Sequence, residues 1–305
     1  MTVVRWFSLE EAREGLKLLN NSNKTTGSIH TLGALHEGHG KLITLSSQEN
    51  DNTIVTIYPN IAQLPPGSSY IYDVEKDCEF AIAHGATHLI TPSTQDMYPD
   101  SYCTFFDQGE QYRRLDGAIT PYLFRGMITM STRWLIFTRP TRTYWGLKDI
   151  AQVILVKRAV KDLLIDTSVR EVPCVRYKSG MAISSRMMNK PEAVIKEFNR
   201  AYYALEAARK SMMNGVRSTD ELINIMRDII NETTLQHFKL QYIKITDPNG
   251  FSEPDTIEVP AIFQIVMALG DRNWFEGFYL RTEKELNEGP ETIWLDAMYP
   301  DFSDS

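Results

Sequence analysis

Cysteine is scarce: Cys78, Cys103 and Cys174 are 3 among 305 residues, odd in number and far apart. That excludes a disulfide framework and a cysteine-built metal cluster, and it points to a reducing compartment. Positive charge is also short, with 32 Lys and Arg against 39 Asp and Glu and a net charge of −7. Sequence-independent binding of nucleic acid needs a basic face, which this balance does not supply; a local basic site for a nucleotide stays open. No apolar run approaches the ~18 residues of a membrane span, so no membrane partner is expected. The first residues, Met1-Thr2-Val3-Val4-Arg5-Trp6, lack the pattern of a signal peptide, and a cytoplasmic location is the expectation. Internal repeats are missing too. What is present is the composition of an ordinary soluble protein, long enough for two domains with their own cores.

One stretch organises the rest. Gly27 to Ile43 reads Gly-Ser-Ile-His-Thr-Leu-Gly-Ala-Leu-His-Glu-Gly-His-Gly-Lys-Leu-Ile. Gly27–Thr31 has the character of a short strand, and Gly33 tolerates the positive φ of a tight turn. From Glu37 a helix is expected, with Leu42 and Leu45 on one face. His36 and His39 then fall where the helix begins, where backbone N–H groups lack partners and the dipole favours anions. Two imidazoles there suit a phosphate that gains charge during a reaction. The plainer alternative is a helix start with two surface histidines.

Elsewhere, strands and helices alternate. Ser8 with Glu11 forms a capping box for a helix over 7–20. Strands are expected at Thr53–Tyr58, Thr87–Ile90, Thr141–Trp145 and Val169–Val175, and helices at Glu37–Gln48, Val74–His84, Arg125–Phe137 and Asp149–Leu164. Such alternation implies a doubly wound parallel sheet with right-handed crossovers, an α/β fold whose ligands bind beyond the carboxyl ends of the strands. Near Asn189 the style changes. Pro191 opens a long expected helix carrying Val194, Phe198, Tyr202 and Leu205, ended by Gly215. Ser218 with Glu221 caps the next helix. Strands Lys239–Thr246 and Ala261–Leu269 follow, separated by the turn signal Asp247-Pro248-Asn249-Gly250. The expectation is a catalytic domain over 1–188 and a smaller α+β domain over 189–305, with a frayed tail at 301–305.

His36-Glu37-Gly38-His39 is the His-x-Gly-His signature of nucleotidylyl-transfer enzymes. The longer string Thr31 to His39 resembles more specifically the pantothenate synthetase (pantoate–β-alanine ligase) family, which implies a Rossmann-like sheet. Four further stretches are similar in the same order. Asn60-Ile61-Ala62-Gln63 matches residues of the family's acid pocket; an amide offers donor and acceptor without charge. A turn Asn and an exposed Gln would read the same. Trp145-Gly146-Leu147-Lys148-Asp149, with Gln152 beyond, resembles the family's Gly-Glu-Lys-Asp segment. The resemblance makes Lys148 a cation for phosphates, Asp149 an acceptor for ribose hydroxyls and Gln152 a partner of Gln63 on the acid. Leu147 replaces the family's Glu and Ala151 its first Gln, and Asp149 also suits a helix N-cap. Gly180-Met181-Ala182-Ile183-Ser184-Ser185-Arg186 is similar to Gly-Leu-Ala-Leu-Ser-Ser-Arg. Two hydroxyls and a guanidinium make a fork for phosphate oxygens; a polar hinge is the alternative. The fourth match, Pro121 to Gly126, is partial. Thr120 stands where the family has Arg, and Leu123 where it has His. The loop from Gln63 to Tyr70 is short beside the family's.

The resemblance implies an adenylate-forming amide ligase using ATP with Mg²⁺, a small hydroxy acid such as pantoate and an amine such as β-alanine, working as a homodimer. Expected catalytic residues are His36, His39, Lys148, Ser184, Ser185 and Arg186. Leu32, Gly33, Gly38, Gly146 and Asp149 would join them around ATP. Leu32, Asn60, Gln63 and Gln152 would hold the acid, and no residue-built metal cage is seen. Thr120 and Leu123 remove a cation and a titratable ring, so pantoate with β-alanine is expected to be a poor pair. A nucleotidyltransferase that keeps the nucleotide on its product, and a binding protein without catalysis, are the rivals from other classes.

Overall fold

The computed structural model describes residues 3–64, 72–187 and 190–300. By its internal contacts the chain divides into two units, Met1–Gly146 with Ala151–Val172, and Leu147–Ile150 with Pro173–Ser305. The boundary expected at 188/189 lies outside the described residues, as do most of the short loop after Gln63 and the tail at 301–305. The division falls earlier, at Pro173, because the segment after it is bonded to a strand of the second unit, as described below.

In the first unit the elements alternate as β1 (Val4–Trp6), α1 (Leu9–Asn20), β2 (Thr26–Thr31), α2 (Glu37–Glu49), β3 (Asn52–Ile57), α3 (Val74–Ala83) and β4 (His88–Ile90). The short helices α4 (Thr94–Met97) and α5 (Asp116–Ile119) precede α6 (Pro121–Thr138), β5 (Arg142–Gly146), α7 (Ile150–Asp162) and β6 (Ser168–Val172). Six strands form one sheet in the order β1-β4-β3-β2-β5-β6, every pairing parallel. This is the doubly wound α/β, Rossmann-like arrangement that the alternation requires. β3 is buried along its whole length, as its β-branched run demands. Ser8 caps α1 by accepting the N–H of Glu11, but the Glu11 carboxylate accepts the N–H of Phe7 rather than that of Ser8, so only the Ser8 half of the expected capping box forms. β3, β2 and β5 are neighbours, so the loops after them leave from the same edge of the sheet. α6 starts at Pro121, a turn earlier than the expected Arg125. The run expected as one strand over Val169–Val175 is two, because Pro173 has no N–H to donate to a ladder.

The second unit carries β7 (Cys174–Arg176), α8 (Glu192–Phe198), α9 (Arg200–Met213), α10 (Thr219–Asn231), β8 (Lys239–Thr246), β9 (Ala261–Leu269), β10 (Arg272–Leu280), α11 (Glu283–Glu288) and β11 (Thr292–Trp294). β8, β9 and β10 form an antiparallel sheet, and β7 pairs with β11 in parallel. The helix expected from Pro191 to Gly215 is divided at Asn199, whose backbone N–H still donates to the Ile195 carbonyl while its side-chain amide donates to the Ser179 carbonyl. α9 and α10 cover the sheet with Ala204, Leu205, Ala208, Leu222 and Met226 against Phe263, Ile265 and Phe278. β10 had no clear signal in the sequence. It follows β9 through Gly270 at φ 57°, a turn conformation that favours glycine. Among the described residues no helix is long and apolar enough to cross a membrane. The three cysteines are free thiols.

Candidate active site

The turn after β2 brings His36 and His39 together. Gly33 has φ 96° and Ala34 φ 53°, so the chain reverses sharply before His36. His36 is the N-cap of α2, with extended backbone at φ −145°. Its Nδ1 accepts the N–H of Gly38 at 3.1 Å, while the N–H of His36 donates to Nδ1 of His39 at 3.3 Å. Imidazoles thus perform the capping that hydroxyls and carboxylates usually perform. The ring centroids lie 4.2 Å apart. Because each Nδ1 accepts, each neutral ring carries its proton on Nε2. The pair therefore offers two Nε2–H donors at the positive end of a helix of 13 residues. Leu32 and Gly38 flank this turn, both half-buried. His30, on β2, has a different role. It shares hydrogen bonds with Ser28 and Thr56, stacks on Trp134, and burial pushes its pKa down to about 3, so it stays neutral.

Asn60 and Gln63 also come together, but not as two equivalent acid ligands. Asn60 is fully buried. Its Oδ1 accepts from Ala62 N–H at 3.2 Å and from the Tyr98 hydroxyl at 2.6 Å. Its Nδ2 donates to Gln63 Oε1 at 2.7 Å and to the Gly126 carbonyl at 3.0 Å. Two donors and two acceptor bonds complete an amide's ordinary capacity. Asn60 is thereby committed inside the protein, and it fixes the orientation of Gln63, whose amide NH₂ keeps the donors that a carboxylate needs. Gln152, half-buried on α7, belongs to the same unit as Gln63.

Sequence reasoning missed two supports of this arrangement. Tyr98 closes over Asn60, and burial pushes its phenol pKa up. Arg133 lies over the rings of Tyr98 and Tyr102, at 5.3 and 4.6 Å. Gly126 lets α6 approach the single turn Ile61–Gln63 closely, because a Cβ there would stand 2.2 Å from the Ala62 carbonyl oxygen. Gly126 was visible in the sequence; the reason for it was not. Nearby on the same chain segment, Thr120 turns its hydroxyl onto the Asp116 carbonyl at 2.7 Å, and Leu123 is half-buried. Arg125 is exposed, with its guanidinium over Phe105 at 4.3 Å.

The remaining candidates belong to the second unit, apart from half-buried Gly146 at the end of β5. Lys148 pairs with its neighbour Asp149 at 3.4 Å, its side chain 19% exposed. Leu147 and Ala151, the departures from the family pattern, are buried, which accounts for their apolar character. The turn at Gly180, φ 95°, packs against Tyr202, whose ring a Cβ would meet at 2.0 Å. Arg176 and Glu276 hold this turn. Arg176 donates to Glu276 at 2.8 Å and to the Gly180 carbonyl at 2.8 Å, and Glu276 accepts the N–H of Ala182 at 3.3 Å. Both charges are almost fully buried, at 2% and 3% exposure, and each is hydrogen-bonded beyond the pair, as burial of charge requires. The turn delivers Ser184, which accepts the N–H of Arg186 at 3.3 Å, and half-buried Ser185. The Arg186 guanidinium lies over Phe275 at 5.6 Å.

Known proteins resemble this chain over most of its length. The family described as pantoate-beta-alanine ligase matches residues 6–273. The pantothenate synthetase of Thermosipho africanus is 32% identical over 265 residues, covering 86% of this chain and 94% of that protein. That of Fervidobacterium nodosum is 32% identical over 266 residues, with coverage of 86% and 94%. Among solved structures, pantothenate synthetase from Thermus thermophilus superposes with a TM-score of 0.84 at 25% identity, covering 92% of this chain and 100% of that one. Pantoate-beta-alanine ligase from Francisella tularensis, complexed with beta-gamma ATP and beta-alanine, gives 0.73 at 27% identity, with coverage of 91% and 98%. With a family match over most of its length, and its His-x-Gly-His, Lys-Asp and Ser-Ser-Arg segments in the family's order, this chain belongs to the pantoate–β-alanine ligase family.

Proposed function

We propose that this chain is an ATP-dependent acid–amine ligase that adenylates pantoate or a close analogue and passes the acyl group to β-alanine or a close analogue. The observation that carries the reading is the imidazole pair capping α2, with both Nδ1 atoms accepting backbone N–H groups. A carboxylate oxygen of the acid attacks the α-phosphorus of ATP, and the bond to the bridging oxygen breaks to release pyrophosphate. The amine then attacks the acyl carbon, loses a proton, and expels AMP. Such chemistry needs positioning and charge stabilisation more than a protein nucleophile. In the first unit, the Nε2–H groups of His36 and His39 donate to the α-phosphate oxygens as they gain charge. Leu32 and Gly33 line the approach to the nucleotide, Gly146 leaves room for it, and Gln63 and Gln152 hold the acid through amide donors. In the second unit, Lys148 and the Ser184-Ser185-Arg186 fork serve the β- and γ-phosphates, and Asp149 the ribose hydroxyls.

Among the described residues no group of three or more His, Cys, Asp or Glu side chains is arranged to hold a metal ion. Mg²⁺ would arrive with ATP and supply charge neutralisation. Homodimerisation and a cytoplasmic location complete the proposal, both by analogy with the family.

A change of acid or amine is the second reading, and the surroundings of Thr120 favour it. The hydroxyl of Thr120 is bound within its own turn, Leu123 is aliphatic, and Arg125 lies on Phe105. An anionic group facing Leu123 would lose water without gaining a partner. Incubation with ATP and panels of acids and amines, followed by mass detection, tests all readings together. AMP, pyrophosphate and an amide support a ligase, and the preferred pair identifies the substrates. A product that retains the nucleotide indicates a nucleotidyltransferase, and no turnover with any pair overturns the proposal.

A further inference from the structure

The turn before His36 is in an unfavourable conformation, and one buried carboxylate holds it. Gly33 and Ala34 have consecutive positive φ values, 96° and 53°. The left-handed region costs a residue with a Cβ about 1–2 kcal/mol, so Ala34 needs compensation. Asp77, in the first turn of α3 and only 5% exposed, supplies it. Its Oδ2 accepts the N–H of Ala34 at 2.8 Å and its Oδ1 that of Leu35 at 2.7 Å. These are short, charge-assisted bonds, one to each oxygen, on the two residues just before His36. The fit is close: a Cβ on Gly33 would stand 3.0 Å from Asp77 Oδ2 and 2.6 Å from the Tyr72 ring. Asp73, by contrast, does the ordinary capping of α3, accepting from Glu75 and Lys76 N–H. Capping therefore does not require Asp77.

We infer that Asp77 is a positioning residue: it fixes the backbone of Ala34 and Leu35, and through it the tautomers and directions of the His36 and His39 rings. The link is short. The His36 N–H that follows Leu35 is the donor to His39 Nδ1, so a rotation of the turn breaks the bond that sets the His39 tautomer. Burial raises the Asp77 pKa above the ordinary carboxylate value, and the N–H groups of Leu35 and Ala34 offset part of that rise. The inference rests on the proposed roles of His36 and His39, and its test separates the two.

Asp77→Asn keeps the shape but turns one acceptor into an NH₂ that faces an N–H. In ATP–pyrophosphate exchange with a working acid, we expect kcat to fall by roughly 10- to 100-fold, the scale of a misplaced catalytic group, with the acid KM within about twofold. Nitrogen NMR of the two rings should change from Nε2–H alone to a mixture of tautomers, which a loss of stability without loss of positioning would not produce. In the unmodified protein, the amides of Ala34 and Leu35 should exchange slowly with solvent although they lie in a loop. His39→Ala is run alongside. If it exchanges at the parent rate, the reading of the histidines fails. If it is impaired while Asp77→Asn keeps the parent rate and ring signals, only the role of Asp77 fails. Should Asp77→Asn not fold, the amide exchange decides: fast exchange at both positions overturns the inference, slow exchange supports it.

Discussion

Gly126→Ala perturbs the proposed acid pocket without replacing a polar side chain. On helix propensity alone the change inside α6 should stabilise by up to about 1 kcal/mol. Geometry opposes it. The new Cβ would lie 2.2 Å from the Ala62 carbonyl oxygen, 2.4 Å from its carbon and 2.7 Å from the Gln63 nitrogen. All are backbone atoms, so no side chain can rotate away. Relief to an ordinary contact of roughly 3.4 Å needs a retreat of about 1 Å, and an error of that size at a positioning group costs about 100-fold in rate. The retreat carries Gln63 with it and stretches the Asn60 bond to the Gly126 carbonyl. The assay is ATP–pyrophosphate exchange titrated with acid. kcat/KM for the acid should fall by about 100-fold, on the same scale, with the ATP KM changed by less than about twofold. An unchanged acid titration in folded Gly126→Ala would refute the assignment of Gln63 to the acid.

Asn60→Ala strands the Tyr98 hydroxyl; a stranded buried partner costs about 1–3 kcal/mol, read as a lower denaturant midpoint. Glu276→Gln leaves the Arg176 charge buried without its partner and should cost about 3–5 kcal/mol, whereas replacing both by apolar residues of similar volume should cost much less. His30 gives a pH dependence. Its folded pKa of about 3 lies below the ordinary value of 6.5, so as pH falls below that value the unfolded chain binds a proton that the folded chain refuses. Stability should then drop by up to about 1.4 kcal/mol per pH unit between roughly pH 6 and pH 4, and His30→Gln should flatten the slope in denaturation curves. His88, whose pKa is also lowered by burial, adds in the same direction. Thr120→Arg with Leu123→His should raise turnover of pantoate with β-alanine; efficient pantothenate formation by the parent chain would refute the altered-substrate reading.

The parallel sheet was legible because its signals are local. The β-branched run of β3 and the Ser8 cap of α1 need only neighbouring residues. The placement of His36 and His39 at the start of α2 was legible for the same reason; that their own rings cap the helix was not read from the sequence. What escaped depends on distant partners. Asn60 was legible as a polar residue of the proposed pocket, but its bonds to Tyr98 and Gly126, 38 and 66 residues away, were not. The Arg176–Glu276 pair spans 100 residues, and nothing near Gly180 announces it. Asp77 has the same character: on a helix start it reads as one more acidic residue until Ala34 and Leu35 arrive from 43 and 42 residues earlier. The break at Pro173 is available from the sequence, because proline cannot donate to a ladder. The division of the long helix at Asn199 has no such local signal.

The most direct measurement is exchange of labelled pyrophosphate into ATP with an acid present and no amine. The ligase mechanism predicts exchange that requires the acid and proceeds without the amine, because the acyl adenylate forms first. His39→Ala and Lys148→Ala should each reduce it by roughly 100- to 1,000-fold through lost charge stabilisation. Exchange at the parent rate in both variants, or amide formation with no amine-independent exchange, would contradict the assignment of phosphate chemistry to these residues.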